Sequence, residues 1–217
     1  MSDVLTRMSR IAPAPAVLSA IADADCNLAI WQRPSVADFA PLLESDPQDL
    51  RFVSDEAAVR GAVLAGLRTG GFGGPPALHN VLAEDIAALA RLYCAAMDLA
   101  RFEVRLEVVR TDSCRKFHAD YVTARLITTY AGEGTDWLDE ADALRVAAGM
   151  PPERINRLAA FDVGLFKGRL ATDRPAIHRS PPIADTGAVR LLLVLNPVSR
   201  PFVDSAQWPL PPQSDLA

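Results

Sequence analysis

The sequence is short of the residues from which disulfide frameworks and histidine-rich metal sites are built. Its three cysteines, Cys26, Cys94 and Cys114, are widely spaced and form no C-x-x-C pair. This spacing argues against a disulfide-built secreted domain. Histidine is equally scarce, with three residues in 217. A histidine-based site must therefore use nearly all the histidine that the chain has.

Signals for membranes and nucleic acids are also missing. No apolar run approaches the roughly 18 residues of a membrane-spanning helix. Prolines and aspartates interrupt region 11–26, which therefore does not look like a signal peptide. The net charge of −5 gives no general attraction to nucleic acid or anionic lipid. We predict a cytoplasmic protein with no nucleic-acid or membrane partner, while the substrate and the oligomeric state stay open.

Two familiar catalytic motifs are absent as well. The glycine-rich segment 70–76, GGFGGPP, is not followed by the Gly-Lys-Ser/Thr of a phosphate-binding P-loop. No G-x-S-x-G motif of a serine hydrolase occurs in the chain. The sequence therefore indicates neither phosphate transfer at a P-loop nor serine hydrolysis.

The apolar residues that make up half of the chain can bury a sizeable core. In the first hundred residues their spacing predicts three helices, at 35–45, 54–70 and 80–100, each beginning at a serine or asparagine N-cap. A shorter helix is predicted at 139–149, within the second half of the chain. The segment NLAIWQRP, 27–34, indicates a short strand.

Strand patterns take over after residue 100. They are predicted at 101–111, 121–130, 161–168, 174–180 and 188–196. Helices followed by strands indicate an α+β fold with a mainly antiparallel β-structure. We predict a helical N-terminal part at 1–100, a β core at 101–196 and a proline-rich tail at 197–217. The first two parts are expected to form one integrated domain.

His118 and Asp120 carry the strongest indication of chemistry. In a strand, side chains two positions apart point the same way, so these two would converge on one point. His178 is the one remaining histidine outside the helical half. Two histidines and a carboxylate form the facial triad of non-haem iron(II) oxygenases, although zinc could use the same ligands. Cys114 lies four residues before His118 and is interpreted as a buried thiol, or else as an extra ligand favouring zinc.

Arg190 enters the apolar strand RLLLVL, where a buried guanidinium needs a partner. The distal carboxylate of 2-oxoglutarate would suit it, because a guanidinium can bind a carboxylate with two parallel hydrogen bonds. A structural ion pair with Asp162, Asp185 or another acid is the alternative. Thr128 and Tyr130 are separated from His118 and Asp120 by an even number of positions. In an unbroken strand they would face the same interior and could help to bind the cofactor.

These segments together resemble the iron(II)/2-oxoglutarate-dependent dioxygenases of the prolyl-hydroxylase type. The similar order is FHADYVTARLITTYAGEGT, then DVGLFKG, then AIHRSPPIADTGAVRLLLVL. The resemblance implies a double-stranded β-helix of jelly-roll or cupin-like form, against which the N-terminal helices pack. It also implies that His118, Asp120 and His178 bind iron and that Arg190 anchors 2-oxoglutarate. The whole pattern resembles still more closely an uncharacterised bacterial family known only as a domain of unknown function (1826).

Three functional hypotheses remain open at the level of sequence. The first is an oxygenase that uses Fe(II) and 2-oxoglutarate on an unknown substrate. The second is a non-catalytic zinc- or iron-binding protein, for metal homeostasis or sensing, on the same fold. The third is a scaffold that has kept the fold and lost the activity.

Overall fold

The computed structural model describes residues 8–112, 114–184 and 186–198. The proline-rich tail predicted at 197–217 lies outside the described residues from position 199 onward. Within the described ranges, no helix has the length and apolar character needed to cross a membrane.

Strands and helices alternate irregularly along the chain. The strands are β1 (Ser9–Ala12), β2 (Leu28–Trp31), β3 (Leu50–Ser54), β4 (Phe102–Val109), β5 (Ala124–Ala131), β6 (Asp136–Trp137), β7 (Asn156–Arg157), β8 (Val163–Lys167), β9 (His178–Arg179) and β10 (Arg190–Pro197). The α-helices are α1 (Val59–Thr69), α2 (Pro76–Met97) and α3 (Glu140–Ala147), and short 3-10 helices cover Pro15–Ala22 and Ala40–Leu43. This content confirms the α+β class at the level of helices combined with a large mixed sheet.

Two sheets organise the described residues. The larger has seven strands in the order β1-β2-β8-β5-β10-β4-β3, and the smaller has the order β7-β6-β9. Among the strands of the described residues, only the β1–β2 pair is parallel. Strands from the N-terminal part, β1, β2 and β3, thus extend the sheet that is formed by the C-terminal part.

Each face of the large sheet contributes to a different core. On one face, Val104, Leu126 and Leu193 lie in a single buried cluster with Ile86 and Leu89 of α2. Side chains two apart in a strand share a face, so the alternating apolar residues of β4 supply this cluster from every second position. The opposite face contributes to a second cluster that continues into the small sheet.

The second cluster lies between the two sheets. Ile127 and Phe166 of the large sheet pack there with Trp137 of β6. Leu192 and Val194 of β10 belong to the same cluster, whereas Leu191 and Leu193 of that strand belong to the helix-side core. The space between the sheets is therefore lined by the alternate residues of β5, β8 and β10.

The predicted helix boundaries differ from the structure in the first hundred residues. The helix predicted at 35–45 is wrong: only the 3-10 turn Ala40–Leu43 forms, and Pro41 within it lacks the N–H that a longer helix requires. Helix α1 begins at Val59 rather than near Ser54, which is the last residue of β3. Helix α2 begins at Pro76, a residue type favoured in the first helical turn.

A buried ion pair ties helix α2 to the large sheet. Both terminal nitrogens of Arg33 donate to the Asp85 carboxylate, at 2.5 and 2.9 Å. The Tyr130 hydroxyl donates to Asp85 Oδ2 at 2.6 Å, and Arg33 Nε donates to the carbonyl of Phe161. Burial and the Asp85 carboxylate raise the pKa of Tyr130 well above its ordinary value, so this hydroxyl stays a neutral donor.

Replacing Asp85 with alanine is expected to destabilise the fold strongly. The substitution leaves the Arg33 guanidinium buried without its counter-charge, which typically costs about 3–5 kcal/mol. Glu84, the preceding residue, pairs with Arg60 at the exposed surface. Glu84→Ala is therefore the matched control and is expected to cost less than about 1 kcal/mol. Urea unfolding followed by circular dichroism measures both variants, and equal losses would contradict a stabilising role for the buried pair.

Candidate metal centre

The two C-terminal histidines meet because their backbones pair. His118 N donates to His178 O at 2.9 Å, and His178 N donates to His118 O at the same distance. This isolated antiparallel bridge adds residue 118 to the edge of the small sheet beside β9. The two imidazole rings lie 4.8 Å apart, and the His178 ring also packs on Phe166.

Asp120 completes the group that the sequence predicted. Its Oδ2 lies 3.2 Å from His178 Nε2, and its Oδ1 lies 3.7 Å from His118 Nε2. One ligand atom from each of the three residues lies within 4.8 Å of the others. The structure thus brings His118, Asp120 and His178 to one point, in an arrangement that could hold a metal ion.

Backbone carbonyls orient both imidazoles. His118 Nδ1 lies 2.9 Å from the carbonyl oxygen of Lys116, and His178 Nδ1 lies 3.2 Å from that of Ala176. A carbonyl oxygen only accepts, so each Nδ1 donates, and in the neutral imidazole the free lone pair is therefore at Nε2. Histidines that bind metals are oriented in this way by a hydrogen bond at the other ring nitrogen. Both free lone pairs belong to the nitrogens that lie near Asp120.

Arg125 fixes the carboxylate of Asp120 from the opposite side. Arg125 Nη1 donates to Asp120 Oδ1 at 2.8 Å, and Arg125 Nε donates to Asn196 Oδ1 at 2.7 Å. Asp120 Oδ2 is buried and has no hydrogen-bond partner among the described residues. Burial alone would raise the pKa of Asp120, but hydrogen bonding by protonated His178 and the Arg125 charge outweigh burial and lower that pKa; a bound cation would take the place of the His178 proton. The carboxylate is therefore ionised, with one oxygen held and the other available.

The three side chains fit a divalent cation on these grounds. A buried carboxylate oxygen without a partner is costly unless a cation or a donor satisfies it. The two Nε2 lone pairs and Asp120 Oδ2 supply two nitrogens and one oxygen, which suit iron(II) and zinc alike. Three protein ligands would leave further coordination positions for other molecules.

Cys114 differs from its predicted environment. Its thiol is exposed rather than buried, and its backbone has a positive φ of 56°. Cys114 lines the same cavity as both histidines, but it is not in the group of three that could share an ion. The structure therefore places it at the mouth of the site, next to the candidate ligands.

Arg190 is fully buried, with 0% exposure, and forms no ion pair with any acid among the described residues. Its guanidinium donates to the carbonyl of Glu133 at 2.6 Å, to Ser180 Oγ at 3.0 Å and to Thr129 Oγ1 at 3.4 Å. Burial lowers the pKa of Arg190 to about 10, so the group stays charged at neutral pH. Gly132 permits this close approach, because a Cβ there would lie 2.9 Å from Arg190 Cγ.

The sequence suggested Asp162 or Asp185 as an ion-pair partner of Arg190. Asp162 accepts a hydrogen bond from the backbone N–H of Ala159 instead, and Asp185 lies outside the described residues. The nearby Asp136 is fully buried and is held by Arg157 and Arg179. Arg190 is thus a buried cation surrounded by a carbonyl and hydroxyls.

A cavity of about 80 Å³ lies between the sheets and is lined by both histidines. Ile127, Leu192 and Val194 make its wall on the large sheet apolar, and Ser180 lines it as well. Ser180 is the residue whose hydroxyl accepts from Arg190. Arg190 is also the neighbour of Leu192 on the same face of β10. Two of the three candidate ligands thus line the cavity, and Ser180 connects its lining to the buried guanidinium.

Tyr130 and Thr128 lie on the opposite face of β5 from this cavity, contrary to the prediction from their parity. Tyr130 belongs to the helix-side core and donates to Asp85, and Thr128 pairs in register with the core residues Leu193 and Val163. Parity fails here because residues 121–123 form a bend before β5 begins at Ala124. Neither side chain can contact a group bound beside the histidines.

Sequence reasoning missed Arg125, Ser180 and Thr129. Arg125 offered the same signal that identified Arg190, a guanidinium entering an apolar strand. The two hydroxyl residues offered no comparable signal, since serine and threonine are common and usually bond to backbone or water.

A family model described as "Protein of unknown function (DUF1826)" matches residues 12–196. The chain belongs to the DUF1826 family. The family resemblance seen in the sequence is confirmed by this match, which includes all three candidate ligands and Arg190. No curated protein matches the chain significantly.

Solved structures with some likeness to this DUF1826 chain are remote from it. A Pseudomonas putida prolyl-4-hydroxylase has 12% identity and a TM-score of 0.38, over 84% of this chain and 96% of that one. A full-length Neurospora crassa protein in complex with alpha-KG has 13% identity and a TM-score of 0.41, over 84% and 77%. AviO1 from Streptomyces viridochromogenes Tue57 has 14% identity and a TM-score of 0.33, over 77% and 99%.

Replacing Arg125 with glutamine is expected to weaken metal binding about 10- to 100-fold, as the loss of a residue that orients a ligand typically does. The substitution frees Asp120 Oδ1 and lets the carboxylate rotate. Zinc affinity is measured by competition with a chromophoric chelator, and Asp120→Ala defines the complete loss of the carboxylate ligand.

Arg51→Gln is the matched control for this effect. Arg51 lies at the exposed end of the same chain of contacts, which runs through Glu103 and Asn196 to Arg125. Arg51→Gln is expected to bind zinc as the unmodified protein does. Equal affinities for Arg125→Gln and the unmodified protein would contradict the orienting role of Arg125.

Proposed function

We propose that this protein is an oxygenase that depends on iron(II) and 2-oxoglutarate and acts on a substrate not yet identified. The observation that carries the proposal is a single cavity with two contrasting features. It is lined by two histidines of a two-histidine, one-carboxylate group, and by Ser180, whose hydroxyl contacts a buried arginine with no acidic partner among the described residues.

The winding of the chain supports a double-stranded β-helix against which the N-terminal helices pack. From β4 onward, the chain passes repeatedly between the sheets: β4, β5, β8 and β10 join the large sheet, and residue 118, the consecutive pair β6 and β7, and β9 join the small one. Two facing antiparallel sheets wound in this way are typical of jelly-roll and cupin folds. Strands β1, β2 and β3 would then be additions at the edges of the large sheet.

His118, Asp120 and His178 would hold the iron. When bound, iron(II) and 2-oxoglutarate would supply the electrons that activate dioxygen, the oxidant, for hydroxylation of a substrate carbon, with succinate and carbon dioxide as co-products. The protein's part is to bind and orient the reactants. Asp120 would contribute one negative charge to the site. Because Arg125 donates to Oδ1, Oδ2 is the oxygen left to bind the ion.

Arg190 would bind the far carboxylate of 2-oxoglutarate. A buried guanidinium is unfavourable without a counter-charge, so a carboxylate that enters this part of the cavity gains a strong, charge-assisted interaction. Ser180 and Thr129 already contact the guanidinium and would present their hydroxyls to the same group. The apolar wall of Ile127, Leu192 and Val194 suits the methylene carbons between the two carboxylates and excludes water.

The second candidate function is a zinc- or iron-binding protein without turnover. The donor set supports it, because two imidazoles and a carboxylate also suit zinc. Arg190 distinguishes the candidates: a metal store or sensor has no need of a buried cation beside the metal cavity. Succinate release from 2-oxoglutarate, with iron(II), ascorbate and air, favours the oxygenase, and metal binding without succinate release favours the alternative.

Arg190→Gln is expected to weaken 2-oxoglutarate binding by roughly 10- to 100-fold, since a hydrogen-bonded charge is worth about 1.5–3 kcal/mol. Zinc content should not change, because Arg190 contacts none of the three candidate ligands. The measurement is calorimetric titration of 2-oxoglutarate into zinc-loaded protein, where no turnover occurs.

Ser180→Ala keeps this test decisive if Arg190→Gln fails to fold. It removes one hydroxyl from the guanidinium and is expected to weaken 2-oxoglutarate binding several-fold, with zinc content again unchanged. Unaltered 2-oxoglutarate affinity in both variants, with folding verified by thermal melting, would refute Arg190 as the anchor.

A further inference from the structure

The cavity beside the metal centre carries cationic side chains that neither the metal ligands nor the 2-oxoglutarate anchor explain. Arg105 of β4 and Arg179 of β9 both line it. They come from different sheets, so the cavity has a guanidinium on each of two walls. Arg125, the third arginine in the lining, is already committed to Asp120 and Asn196.

Arg105 has donors to spare. It contacts Glu107 on the same strand through Nη2, and no other hydrogen bond is formed by its guanidinium within the described residues. Its side chain is 31% exposed and lies on the face of β4 that turns toward Asn196 and Val194. Glu107 also lines the cavity, but its charge is offset by this contact with Arg105.

Arg179 is held in place in a way that leaves its terminal nitrogens available. Its Nε donates to Asp136 Oδ2 at 3.0 Å, and its guanidinium lies over the Phe117 ring at 4.4 Å. The other Asp136 oxygen accepts from Arg157, so this carboxylate is saturated. A guanidinium fixed through Nε and its flat face presents Nη1 and Nη2 as a fork, the geometry that binds carboxylates and phosphates.

The mouth of the site is cationic too. A neighbouring surface depression shares Cys114 and His118 with the cavity and is lined by Arg115 and Lys116. Its one acid, Asp112, accepts hydrogen bonds from two backbone N–H groups at residues 183 and 184 and lies 3.8 Å from Arg115. Positive charge at an entrance attracts anions and raises their local concentration.

We propose that Arg105 and Arg179 form the subsite for an anionic group, a carboxylate or a phosphate, on the substrate to be oxidised. This inference rests on the proposed function, which assigns the two ends of 2-oxoglutarate to the metal and to Arg190. With those places taken, the remaining free guanidinium donors of the cavity are those of Arg105 and Arg179. The substrate class is therefore a small acid rather than a neutral or cationic molecule.

The test uses full-length protein loaded with zinc and saturated with 2-oxoglutarate, so that the metal and Arg190 are already occupied. The probes are benzoate, phenyl phosphate and the neutral benzamide, each titrated by calorimetry. At least one of the two anions is expected to bind on the order of 10-fold or more tightly than benzamide, because each 1.4 kcal/mol is a factor of ten. Preference for benzoate or for phenyl phosphate tells a carboxylate subsite from a phosphate subsite.

Arg105→Gln and Arg179→Gln are each expected to weaken binding of the preferred anion roughly 10-fold, and Arg51→Gln to leave it unchanged. Arg51 is the matched control because it is an exposed arginine on the neighbouring strand β3 and is paired with Glu103. Increasing salt should weaken anion binding in the unmodified protein more than in the double variant.

Three outcomes would overturn the inference. The first is equal affinity for the two anions and benzamide, and the second is no anion binding with a Kd below about 10 mM. The third is unchanged anion affinity in the Arg105 and Arg179 double variant. Failure of the proposed function is recognised separately, because 2-oxoglutarate then does not bind, or binds Arg190→Gln as tightly as the unmodified protein. The anion titration is in that case run on zinc-loaded protein alone. Loss of anion binding in Arg190→Gln but not in the Arg105 and Arg179 variants would place the anion at Arg190 and refute the subsite.

Discussion

The two reciprocal backbone hydrogen bonds between His118 and His178 are the contact on which the site depends. They join positions sixty residues apart and fix both ring nitrogens relative to Asp120. Closing so long a loop is entropically unfavourable, and two hydrogen bonds alone would not offset that cost. The neighbouring strands β5 and β10 provide the compensation, since their pairing buries a continuous apolar surface on the helix side. The geometry of the candidate metal centre therefore depends on the pairing of β5 and β10, two strands that do not themselves carry a candidate ligand.

Buried charges are paired in the fold but not all paired at the candidate site. Where a buried charge serves the fold, it is neutralised: Arg33 has Asp85, and Asp136 has Arg157 and Arg179. Between the sheets, Arg190 has no acidic partner among the described residues, and Asp120 Oδ2 has no hydrogen-bond partner there although Oδ1 is paired with Arg125. Each of these groups costs free energy in the folded state as described. A bound cation would satisfy Asp120 Oδ2, and a bound anion would satisfy the Arg190 guanidinium. An unsatisfied pair of this kind is a reason to expect ligands rather than a structural role.

The sequence predicted the parts of this arrangement that follow from local geometry, and failed where the chain bends. The two-residue spacing predicted correctly that His118 and Asp120 lie close together, although residue 118 forms only an isolated bridge and Asp120 lies outside any strand. The same rule extended to Tyr130 crossed the bend at 121–123 and put that side chain on the wrong face. Helix propensity at 35–45 was overridden by Pro41. The hydroxyls beside Arg190 come from two remote strands, and no local pattern marks which serine or threonine will be used.

Alternation within β10 explains how one strand can stabilise the fold and line the site without conflict. Leu191, Leu193 and Leu195 face the helices, and Arg190, Leu192 and Val194 face the cavity. Since neighbouring positions serve different cores, substitutions on the cavity side can change what is bound while the helix-side packing persists. A one-residue slip of β10 would exchange its two faces and disrupt both the core and the cavity wall. The eight-residue pairing with β4 and the pairing with β5 fix its register. β10 thus contributes both to the helix-side core and, through Arg190, to the buried guanidinium beside the candidate site.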